Sequence, residues 1–136
     1  YHPFALETSS NPTGRAVVIK RTRTADIYLR FLQLAEALRS KSSLPPLEPL
    51  EERILELIAY ARQTQDRLSV KDLMNKRELG SPAMLHGRLK SMREKGWILL
   101  ADTEDARRKQ LALTDAALMH FEKLSKCLME AVKKSG

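Results

Sequence analysis

A chain of 136 residues with a formal net charge of +7 and a pI near 9.8 is long enough for one domain with a modest core and is not obviously two. The basic balance favours a polyanionic partner, a class that includes nucleic acid and acidic membrane surfaces, and the single cysteine excludes an intramolecular disulfide. No apolar run approaches the roughly 18 residues of a membrane span, and residues 1–23 hold no signal-peptide core, so the expectation is a soluble, cytoplasmic protein with no membrane partner.

Pro3, Ser9, Ser10, Asn11, Pro12 and Gly14 make residues 1–23 a flexible or irregular N-terminal arm. The segment Ala16-Val17-Val18-Ile19 either begins the next helix early or is a separate extended piece. From Thr24 the pattern turns helical: Ile27, Phe31, Leu34 and Leu38 form one stripe, widened by Tyr28, Leu32 and Ala35, which predicts a helix over 24–41. Ser42-Ser43-Leu44-Pro45-Pro46 is a linker. A core helix follows from Pro49 to about Thr64, with Leu50, Ile54, Leu57, Ile58 and Ala61 on one face.

Leu68 to Leu79 reads as a short helix capped by Ser69, with Asp72 at the acid position of a capping box, where Glu or Gln is more usual. Gly80 breaks the chain and Ser81 caps the next helix, with Pro82 at its first position and Gly96 as the left-handed stop. In that second helix Leu85, Leu89 and Met92 face a core. Met84, His86, Gly87, Arg88, Lys90, Ser91 and Lys95 lie elsewhere on a surface rich in basic and small residues. Trp97-Ile98-Leu99-Leu100-Ala101 and Lys109-Gln110-Leu111-Ala112-Leu113 pair as two short strands around the charged tip Asp102-Thr103-Glu104-Asp105-Ala106-Arg107-Arg108. After Thr114 a last helix runs from Asp115 to about Lys133, with Leu118, Phe121, Leu124, Leu128, Ala131 and Val132 on its apolar side. The fold class is therefore mostly α with a small two-stranded β-wing: a winged helix-turn-helix over 47–113 flanked by N- and C-terminal helices (24–41 and 115–133), all in one domain from 24 to 136. Neither flanking helix has an obvious partner inside so small a domain, so their stripes are expected to bury each other across a two-fold axis in a homodimer, through Ile27, Phe31, Leu34, Leu38, Phe121, Leu124 and Leu128.

Charge concentrates on the helix-turn-helix and wing. Residues 71–109 hold ten Lys or Arg against six acids, whereas residues 42–70 hold three against five. Residues 15–41 are a second basic stretch. A short, capped, basic helix can enter the major groove of DNA, which admits one α-helix. On that reading Ser81, His86, Gly87, Arg88 and Lys90 form the contact surface. Arg88 has the fork to read guanine, Lys90 suits a phosphate, and Gly87 lets the backbone approach a base edge. No Cys/His spacing fits a metal, no catalytic constellation or cofactor loop stands out, and Cys127 reads as a small boundary residue rather than a redox thiol, despite Lys123 and Lys126 nearby.

Three segments, Leu47-Glu48-Pro49-Leu50, Leu89 to Ile98, and Asp102 to Thr114, resemble the MarR regulators (multiple antibiotic resistance regulators) in order and spacing, over roughly residues 24 to 134. The resemblance implies a winged helix-turn-helix that dimerises through its terminal helices and regulates transcription on double-stranded DNA, commonly as a repressor at an inverted repeat. It also implies that Arg107 enters the minor groove, steadied by Asp105, with Arg108 and Lys109 on phosphates. A small-molecule effector, often phenolic or anionic, is implied too, although the residues carry no ligand signature. Many members end in two helices, whereas 115–133 shows no firm break. A winged helix that docks an acidic protein partner is the alternative, against which the outward Arg88, Lys90 and Arg107 count, since an interaction module would more often present large apolar or aromatic anchors there. Enzymatic function has no support in the sequence.

Overall fold

The computed structural model describes residues 22–104 and 108–135. Helix α1 (Arg23–Lys41) is capped by Thr22, whose side chain accepts from the Ala25 N–H at 3.2 Å. Helix α2 (Pro49–Gln63) starts on proline, with the Glu51 carboxylate accepting from the Glu48 N–H at 2.9 Å, and it buries Ile54, Leu55 and Ile58. The Ala16–Ile19 segment lies outside the described residues.

Helix α3 (Val70–Met74) has a complete capping box: Ser69 N–H donates to Asp72 and Asp72 N–H to the Ser69 hydroxyl, both at 3.0 Å. Aspartate therefore serves here as glutamate more often does. The helix is shorter than the sequence pattern implies, because Lys76 leaves helical geometry and Arg77–Leu79 form a 3-10 turn. A continuous helix would carry Leu79 about 240° around from the buried Leu73. The turn instead returns Leu79 to the core.

Helix α4 (Pro82–Glu94) leads into strands β1 (Ile98–Asp102) and β2 (Lys109–Leu113), which pair antiparallel with Ile98 opposite Leu113 and Asp102 opposite Lys109. Trp97 does not open the strand as expected, since its N–H closes the last turn of α4 on the Met92 carbonyl at 3.0 Å. A short third rung joins the wing to the chain before α3: Leu111 N–H donates to the Leu68 carbonyl at 2.8 Å beside a Ser69–Gln110 bridge. Ile54, Ile58, Leu73, Leu85, Met92, Ile98 and Leu111 form the core of this winged unit.

Helix α5 (Asp115–Ser135) is continuous, as the unbroken pattern implied, and spans about 31 Å at 1.5 Å per residue. The expectation that the terminal helices lack a partner within the chain is corrected: α1 and α5 pack on each other. The last turn of α1 (Leu38, Lys41) lines a cleft with the first turn of α5 (Ala116, Met119), so the two run antiparallel. Ala35 on α1 and Ala131 on α5 are each fully buried. Ile27, Phe31, Leu34, Leu38, Phe121 and Leu124 are half-buried, Phe121 against the winged core, while Tyr28, Leu32, Leu128 and Val132 stay exposed. No helix among the described residues is long and apolar enough to cross a membrane.

Candidate nucleic-acid interface

Both ends of α4 are fixed by local chemistry. Gly80 takes φ +142°, a region that L side chains rarely adopt, and Ser81 then accepts from the Met84 N–H at 3.2 Å. At the far end Gly96 (φ +87°) donates to the Arg93 carbonyl at 3.0 Å, and together with the Trp97–Met92 bond this closes a left-handed helix stop of the Schellman type. Burial of Leu85, Leu89 and Met92 sets the rotation of the helix about its axis. At 3.6 residues per turn, Ala83, Gly87, Lys90 and Glu94 then point away from the core, and all four are exposed.

The two flanks of α4 differ. On one, Arg88 forms an ion pair with Glu48 just before α2, and Lys95 bonds Glu51 Oε1 at 2.8 Å and the Pro46 carbonyl at 3.1 Å. Glu51 is fully buried at the N-terminal turn of α2. Burial pushes its carboxyl up, but the Glu48 N–H and the Lys95 ammonium, helped by the Ser91 hydroxyl, outweigh burial and hold it below the usual carboxylate value. On the other flank a groove of about 490 Å³ opens between α3, α4 and the wing, floored by Met74, Leu89 and Leu100. His86, Arg93, Lys71, Arg108 and Lys109 bring their side chains to it.

Sequence reasoning singled out Ser81, His86, Gly87, Arg88 and Lys90. The structure places His86, Gly87 and Lys90 on the exposed surface of α4, uses Ser81 as the cap, and engages Arg88 with Glu48. A Cβ built on Gly87 would meet nothing within 4 Å, so packing does not demand glycine there. In the wing, Arg108 is exposed and Lys109 pairs with Asp102, while Asp105 and Arg107 lie outside the described residues. Lys71, Arg93 and Glu48 were not anticipated. Arg93 was within reach, since it follows His86 by seven residues and so shares its flank. Glu48 lies 40 residues from Arg88 and carried no local signal.

A second cleft, of about 580 Å³, separates the α1–α5 pair from the winged unit and is lined by Arg39, Leu44, Leu47, Trp97, His120 and Phe121. The Trp97 indole N–H donates to the Pro45 carbonyl at 2.8 Å, and its ring meets the His120 ring edge-to-face at 5.2 Å. Burial, with Arg39 and Lys123 nearby, holds the His120 imidazole below the usual histidine value. Glu36, Glu52 and Glu56 also border this cleft. No group of three His, Cys, Asp or Glu side chains among the described residues could hold a metal ion.

Solved structures share this architecture. MepR of S. aureus, bound to ethidium bromide, superposes with a TM-score of 0.57 at 18% identity, covering 82% of this chain and 76% of that one. MepR bound to DNA gives 0.54 at 15% identity with the same coverage. The transcriptional regulator Tm0710 of Thermotoga maritima gives 0.53 at 13% identity, covering 79% of this chain and 68% of that one. The chain has the winged helix-turn-helix fold of these regulators. No protein-family model and no curated protein matches its sequence.

Proposed function

We propose that this winged helix-turn-helix chain is a MarR-type transcriptional regulator that binds double-stranded DNA as a homodimer. The observation that carries the reading is the joining of the outward face of α4 to the cation-rimmed groove beside the wing, so that a helix sized for the major groove lies next to cationic side chains able to meet phosphates. The fold shared with a protein solved on DNA supports it. Lys90 and His86 face base edges, Gly87 lets the backbone approach, and Lys71, Arg93, Arg108 and Lys109 serve the phosphates. Ser81 lies at the N-terminal end of the same surface. The resemblance gives Arg107, with Asp105 beside it, the minor-groove role.

Tyr28 and Leu32 lie one turn apart on α1, and Leu128 and Val132 one turn apart on α5. All four side chains are exposed apolar groups on the paired terminal helices, and a second copy would cover them. Two α4 helices in successive major grooves read an inverted repeat, and the regulator acts as a repressor. The cleft between the α1–α5 pair and the winged unit takes a small aromatic effector, by analogy with the ethidium-bound relative. Glu36 is paired with Arg39 and Glu56 with Arg53, which leaves Glu52 to favour a cationic or neutral ring over the anionic compounds the resemblance implies.

Sedimentation equilibrium of the wild type and of Leu128→Glu, with fluorescence anisotropy on labelled duplex DNA, tests the reading. The wild type is expected at twice the chain mass, binding two chains per site with log affinity falling linearly against log salt. Leu128→Glu is expected as a folded monomer with weakened binding. A monomeric wild type, or binding indifferent to salt, contradicts the proposal.

A further inference from the structure

Two ion pairs tie α4 to the start of α2, and they differ in kind. Glu51–Lys95 has a carboxylate with no exposed surface, further bonded to the Glu48 N–H, and a lysine bonded to the Pro46 carbonyl, so neither partner can leave without stranding a buried charge. Glu48–Arg88 is open to solvent, with side chains 58% and 38% exposed, and an exposed pair of this type is held weakly enough to exchange partners. The first pair fixes the helix, so Arg88 can change partner while α4 stays in place. The guanidinium fork that holds a carboxylate is equally matched to a phosphate.

We propose that Glu48 is a built-in counter-charge for Arg88 that a DNA phosphate displaces, which makes this carboxylate a determinant of how tightly the duplex is held. The inference rests on the DNA-binding reading above. In the free protein Arg88 is satisfied by Glu48 and turned along the flank toward α2. On the duplex the guanidinium transfers to a phosphate oxygen, and Glu48 keeps its place in the capping box of α2 while it takes up solvent and counterions. The exchange leaves the net number of phosphates neutralised by Arg88 and Glu48 together near zero, so the wild type binds with a shallower salt dependence than its count of basic residues implies.

A double-mutant cycle on duplex affinity distinguishes exchange from a pair that stays intact. If the pair breaks on binding, its energy is lost only when both residues are present, and the two substitutions are non-additive. If it persists in the complex, its energy cancels between free and bound states and the substitutions add. Affinities are measured by anisotropy for wild type, E48Q, R88Q and E48Q/R88Q over a range of salt. E48Q is expected to tighten binding and to steepen the log affinity against log salt slope by about 1 per half-site. Its gain is expected to be about 2- to 5-fold larger per half-site in the wild-type background than in the R88Q background. Equal gains in the two backgrounds, or no change with E48Q, overturn the exchange while leaving DNA binding intact. Failure of all four proteins to bind duplex, with folding confirmed by circular dichroism, overturns the DNA-binding reading and the exchange together.

Discussion

Gly87 occupies the face of α4 that points away from the core, where an added methyl group would touch nothing within the protein. Glycine in a helix interior costs about 1 kcal/mol against alanine, so Gly87→Ala is expected to raise unfolding stability by about that amount. In the proposed complex the same methyl group would intrude where the backbone approaches the base edges, and duplex affinity is expected to fall. Urea denaturation beside anisotropy reads both effects, and an alanine variant that is more stable with unchanged affinity would remove Gly87 from the interface. His120 provides a second residue-scale test. Burial favours its neutral form, with Arg39 from α1, Lys123 from its own helix and the cleft carboxylates Glu36, Glu52 and Glu56 as the surrounding charges. Its folded value lies below the unfolded one, so its contribution to stability is complete above about pH 6.5 and is lost as the pH falls below that toward the folded value. Thermal melts are expected to show the wild type losing more stability than His120→Phe between about pH 7 and about pH 5. Parallel losses would show that His120 titrates alike in both states.

At the scale of elements, the junction of α2 with α4 depends on Lys95. Lys95→Met leaves the fully buried Glu51 without its cation and is expected to destabilise the fold by about 3 kcal/mol in urea, with most of the loss recovered in the Glu51→Leu/Lys95→Met double variant. A single variant as stable as wild type would mean that Glu51 is satisfied without the ion pair. Elements of this kind were readable to different depths from sequence. The ends of α4 were fully legible, because Ser81, Pro82 and Gly96 act through bonds within three or four residues. Its rotation was legible only in part. Leu85, Leu89 and Met92 named the buried side, but which flank residue stays free depended on Glu48, brought close by tertiary packing alone. The end of α3 was missed because nothing local marks Lys76 as the breaking point; the requirement that Leu79 reach the core does. Asp105 and Arg107 lie outside the described residues, so the wing tip rests on the sequence resemblance alone.

Over the whole molecule, the pairing of α1 with α5 was invisible when each stripe was taken separately, because two stripes of equal width satisfy each other within a chain or across an axis equally well. What the pairing leaves exposed, Tyr28, Leu32, Leu128 and Val132 among the apolar side chains, is what the proposed second copy would cover. The basic groove lies beside α4 and the wing, while these apolar side chains lie on the terminal helices, so DNA and a partner chain would engage separate surfaces. Two-fold assembly through those side chains, as proposed, would make the DNA target symmetric, and symmetry is measurable whatever base sequence the protein prefers. Selection of bound sequences from a random duplex pool tests this most directly. An enriched inverted repeat, with half-sites about 10 base pairs apart from centre to centre, is the expected result. A pool that stays random, or one enriched in a single asymmetric element, would contradict a dimer reading DNA through paired α4 helices.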